Sequence, residues 1–93
     1  MRGDALGLIE VVGLAAAYEV ADVAVKTAMV ELLDLERSGR GMMTVKISGE
    51  VGAVTAAVEA AVAAGNRISE VYASKIIARP DQEVIKCFLQ KEK

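Results

Sequence analysis

The chain has 93 residues, 54% of them hydrophobic and 26% charged, with a formal net charge of −2. That length makes one domain and leaves no room for a second. Charges of both signs are spread along the chain, which excludes the clustered basic footprint of a nucleic-acid binder, and one cysteine excludes an internal disulfide.

Met-Arg-Gly-Asp opens the sequence, and Asp4 and Glu10 arrive before any apolar signal region could form. No signal peptide is expected. Residues Ala5 to Val12 read as a first strand, ended by Gly13. A helix is predicted from Leu14 to Val30, with Glu19, Asp22 and Lys26 sharing one face while Ala17, Ala21 and Val25 lie elsewhere. Glu31 to Ser38 is a second strand and Met42 to Ser48 a third, in which Met43, Val45 and Ile47 alternate with Met42, Thr44 and Lys46. Between them, Gly39-Arg40-Gly41 is a short glycine-containing hairpin loop.

A second helix is expected over Val51 to Ala64, with Gly65-Asn66 as its C-terminal cap pair. Glu70 to Ala78 is a fourth strand stopped by Pro80, and Asp81 is positioned to cap a short last helix, Gln82 to Leu89, before a charged tail over residues 90–93. The order is β-α-β-β-α-β plus a terminal helix. It predicts an α+β, ferredoxin-like fold: a single antiparallel sheet with both main helices on one face.

The apolar excess is aliphatic, since Tyr18, Tyr72 and Phe88 are the only rings. A monomer of this composition would expose more apolar surface than soluble proteins tolerate, so association with copies of itself is expected. The second helix points the same way, because Thr55 and Glu59 are its only polar side chains. The plainer account is that alanine is the best helix former and tolerates exposure. The stretch Val51 to Ala64 is too short to span a bilayer, so no membrane partner is expected.

Catalytic signals are absent. Without histidine the chain lacks the commonest general base and zinc ligand. Cys87 reads as a small apolar residue of the last helix, where it is expected to be buried. Glu10, Asp34 and Glu36 show no spacing that marks an acid/base pair. Gly39-Arg40-Gly41 is not a dinucleotide fingerprint, because position 44 is Thr44 and a strand follows. On the residues alone, Lys26 is a solvated helix lysine, Arg79-Pro80 the polar end of a strand, and Arg40 a solvated turn residue.

The string as a whole resembles the bacterial microcompartment shell domain, from about Asp4 to Phe88. The resemblance is carried by Leu6-Gly-Leu-Ile-Glu10, Gly13-Leu14, Ala21-Asp22 with Lys26, and Val30-Glu31-Leu32. Further on it is carried by the glycine-flanked turn, Gly49-Glu-Val-Gly-Ala-Val54, and Arg79-Pro80 before a short helix. The resemblance implies flat homo-hexamers that tile into the facets of a shell around encapsulated enzymes, in the cytoplasm. It places Lys26 and Arg79 at the hexamer–hexamer edge. It also places Ser38, Gly39, Arg40 and Gly41 around a central pore.

In the family the residue between the two glycines is commonly small, often serine. Here it is Arg40. Ser38 replaces a residue that is often apolar, Arg37 the usual lysine before it, and Ala78 a frequent proline. No cysteine lies in the turn, so no metal cluster or other cofactor is expected. A ring of arginines cannot relieve its crowding by losing protons, so small anions or anionic metabolites are the expected pore partners. The alternative function is an oligomeric ferredoxin-like regulatory module that binds a small anionic ligand between subunits. An enzyme has no supporting residue.

Overall fold

The computed structural model describes residues 1–90. The charged tail expected over residues 90–93 therefore lies, beyond its first residue, outside the described residues. Four strands, β1 (Ala5–Val12), β2 (Val30–Gly39), β3 (Met42–Gly49) and β4 (Val71–Ala78), share the chain with three helices, α1 (Leu14–Thr27), α2 (Val51–Ile68) and α3 (Gln82–Leu89). The strands form one antiparallel sheet in the order β2-β3-β1-β4. The expected α+β, ferredoxin-like order is the one observed, with α3 added at the end.

The core lies between one face of this sheet and the helix pair α1 and α2. Ile9, Val11, Val45 and Ile47 supply the sheet side; Ala17, Val20 and Ala24 come from α1, and Val54, Ala57 and Ala61 from α2. Alternation along each strand directs these residues to a common face. Alanine on both helices lets their backbones approach the sheet and one another closely. Each buried Val, Leu or Ile contributes about 1.5–3 kcal/mol of transfer free energy. The result is a plate with extents of 32 × 30 × 16 Å.

Two helix ends differ from expectation. Helix α1 stops at Thr27 rather than Val30: Ala28 is extended, and Val30 begins β2 by pairing with Gly49. A Cβ on Gly49 would sit 3.1 Å from the Met29 carbonyl oxygen and 3.2 Å from Val30 Cγ1, so the glycine lets the strands pair without a local shift. Strand pairing has overridden the local helical pattern. Helix α2 runs past Gly65-Asn66 to Ile68, and Gly65 is buried inside it. A Cβ there would meet Val71 Cγ2 at 2.8 Å and Val20 Cγ2 at 2.9 Å, so this glycine permits close packing and does not end the helix. Ser69 closes the helix instead. Its N–H donates to the Gly65 carbonyl at 2.9 Å, and its Oγ donates to the Val12 carbonyl at 2.8 Å.

The last helix begins as expected, with the Glu83 N–H donating to Asp81 Oδ1 at 2.9 Å. The expectation for Cys87 fails, because Cys87 is exposed. Helix α3 buries none of its residues fully; its inner positions are the half-buried Ile85 and Phe88. Cys87 lies one residue from Phe88, about 100° around the helix, and so faces outward.

Candidate functional site

The sheet register separates the residues of interest onto two opposite ends. At one end Met42 pairs with both Val12 and Gly39, next to the β2–β3 turn. At the other, Gly49 pairs with Ala5 and Val30, and Ala5 pairs with Ala78. Helix α1 leaves the first end after Gly13 and delivers the chain to the second at Val30. Arg40 therefore occupies one end. Lys26, in the last turn of α1, and Arg79, just after β4, occupy the other.

The turn is built from three successive left-handed residues: Gly39 at φ 84°, Arg40 at φ 55° and Gly41 at φ 77°. A Cβ on either glycine would meet nothing within 4 Å, so both are required by backbone angle and not by space. Arg40 holds the same region against a cost of about 1–2 kcal/mol. The loop is fixed by the Gly13 N–H, which donates to the Gly41 carbonyl at 2.8 Å. Gly13 and Leu14 thus join Arg37, Gly39, Arg40 and Gly41 around one cleft. Helix α1 opens there with no side-chain cap and no acidic residue in its first turn. Its positive end adds to the potential of two exposed arginines. The Ser38 hydroxyl is already engaged, 2.7 Å from Thr44 Oγ1.

At the opposite end Lys26 Nζ lies 2.8 Å from Asp22 Oδ2, both well exposed. The hydrogen bond to Asp22, with its negative charge and that of Glu19, holds the ammonium above the ordinary lysine range. Arg79 also has a left-handed backbone, at φ 48°, and its N–H donates to the Asp4 carbonyl at 2.8 Å. It lines a groove with Gly3, Asp4, Pro80, Ile85 and Leu89. Both candidate edge residues are exposed on the rim of the plate.

One group escaped the sequence reading. Lys46 Nζ donates to the Phe88 carbonyl at 2.8 Å and pairs with Glu36 Oε1 at 3.2 Å. The alternation of β3 marked Lys46 as lying off the core face, but nothing local indicated that α3 would cover it. Glu10 and Glu36 both pair in register with Thr44, so they flank it on that same second face.

Residues 5–80 match the family model described as the BMC domain. The chain is 46% identical over 86 residues to the bacterial microcompartment shell protein PduA of Citrobacter freundii, covering 92% of each chain. To the carboxysome shell protein CsoS1A of Hydrogenovibrio crunogenus it is 48% identical over 83 residues, covering 88% of this chain and 86% of the relative. The crystal structure of a microcompartment protein from Desulfitobacterium hafniense superposes with a TM-score of 0.83 at 27% identity. That alignment covers 99% of this chain, which spans 50% of the solved one. The match across four strands and two core helices, at this level of identity, means that the chain belongs to the BMC-domain family of bacterial microcompartment shell proteins.

Proposed function

We propose that this structural shell protein closes into flat cyclic hexamers, tiles into facets through Lys26 and Arg79, and passes small anionic metabolites through a central pore lined by Arg40. The observation that carries the reading is the separation of these residues onto opposite ends of a thin plate. With the turn pointing to a six-fold axis, Lys26 and Arg79 fall on the outer perimeter, where tiles meet tiles. Other shell proteins are the partners at that perimeter, and encapsulated enzymes are the partners on one of the two faces.

A hexamer gathers six Arg40 side chains around one axis. Arginine stays charged at every accessible pH, and its planar donors match carboxylate, phosphate or sulfate. The uncapped start of α1 reinforces the positive potential at the same place. The ring narrows the aperture, concentrates anions and repels cations. Gly39 and Gly41 keep the loop slim enough for six copies to approach. Ser38, hydrogen-bonded back to Thr44, supports the loop from behind.

The test is ion flux across assembled shells containing the native protein, Arg40→Ser or Arg40→Glu. Arg40→Ser should widen the pore and reduce the preference for anions over cations by about tenfold or more. Arg40→Glu should invert the preference. Equal anion permeability in all three would remove Arg40 from the route.

A further inference from the structure

The sheet face that α1 and α2 leave open carries a cation that neither tiling nor a pore at the turn requires. Lys46 projects from β3 on this second face, opposite in direction to Val45 and Ile47, and only 7% of it is exposed. Among the described residues three groups surround its ammonium: the Phe88 carbonyl at 2.8 Å, Glu36 Oε1 at 3.2 Å, and the Phe88 ring with its centroid 5.2 Å away. The Phe88 carbonyl belongs to the last turn of α3, where carbonyls lack intrahelical partners and a cation is favoured.

Helix α3 has little else with which to hold on, since none of its residues is fully buried. Yet the face beneath is covered. Leu6 points to it, because Leu6 lies two residues along the strand from Leu8, the register partner of Lys46, and Leu6 is 0% exposed. Leu6 stands outside the main core cluster.

We propose that Lys46 is a latch that holds α3 as a releasable cover on the second face of the sheet. The choice of a lysine explains how such a cover could be both secure and reversible. In the closed state the ammonium is stripped of water and is stable only while its partners are in place. In the open state it regains water, which offsets much of what is lost when α3 departs. A purely apolar contact would have no such compensation. Opening uncovers the Lys46 position of this face, which Leu6, Leu8 and Ile77 share.

Amide hydrogen exchange on the assembled protein, read by mass spectrometry over residues 82–89, tests the latch. In the native protein α3 should exchange by its own opening, at least a hundredfold faster than β1 and β3. Lys46→Met keeps the apolar stem but takes the ammonium away from the Phe88 carbonyl and Glu36 Oε1, and should speed α3 exchange about tenfold with α2 and β1 unchanged. Three results would each overturn the latch. One is native α3 as protected as the sheet; another is α3 exchange unmoved by Lys46→Met. The third is loss of protection throughout the domain in Lys46→Met, which would make Lys46 a general support.

Discussion

Gly65 and Gly52 stand in the same helix and differ only in what surrounds them. At Gly65 an added Cβ would press on Val71 and Val20 at 2.8 and 2.9 Å; at Gly52 it would meet nothing within 4 Å. Alanine is the better helix former by roughly 0.8–1 kcal/mol, so propensity alone favours both replacements. Overpacking opposes the first, at about 1–3 kcal/mol. Gly65→Ala is therefore expected to lower stability, and Gly52→Ala to raise it by about 0.4–1 kcal/mol, as measured by urea midpoints in the same assembly state. This contrast also shows where sequence reading stopped. Gly65-Asn66 carries the same local signal whether it ends a helix or admits a neighbour. The deciding atoms, on Val20 and Val71, come from other elements. Lys46 was hidden for the same reason: its partner carbonyl is 42 residues away.

The strands were legible because alternation is a local property, and the β2–β3 turn because its glycines announce positive φ. The end of α1 was not, because pairing of Val30 with Gly49 is a tertiary choice. In the proposed tile that end matters, since it places Lys26 on the rim beside the exposed Met29. Lys26→Asp would face Asp22 at i, i+4 and put a negative charge at a helix C-terminus, a small cost at so exposed a position. The domain should survive this. Electron microscopy should then show hexamers without extended sheets, and persistent sheets would take Lys26 out of the edge. The pH dependence follows from the sign of the shift. A lysine raised above 10.5 contributes its full effect below that value and loses it only as pH climbs through the higher folded value. Sheets held by Lys26 should therefore be indifferent to pH between about 6 and 9, as turbidity or microscopy at constant ionic strength would report.

At the scale of the whole plate, the two free edges of the sheet present different apolar surfaces. Along β2 and α1, Tyr18 at 60% exposure borders a groove with Val25, Leu32 and Leu35. Beside β4, Tyr72 at 67% and Ile68 at 54% stand clear of the domain. A two-fold dimer would join like surfaces, whereas unlike surfaces join head to tail and generate a ring when the rotation closes. The residues that composition alone marked as excess thus fall into two patches suited to one heterologous contact. The interface is expected to place Tyr72 of one protomer against the α1–β2 groove of the next. Tyr72→Asp would force a carboxylate against apolar surface there, where it has no partner. In an isolated domain the same change is nearly silent, because Tyr72 lies on an exposed edge strand. Native mass spectrometry at micromolar protein should therefore find hexamers for the native chain and for Lys26→Asp, but monomers for Tyr72→Asp, whose circular dichroism stays native. Hexamers that persist in Tyr72→Asp would move the contact elsewhere, and a monomeric native chain would remove the ring and, with it, the shared pore.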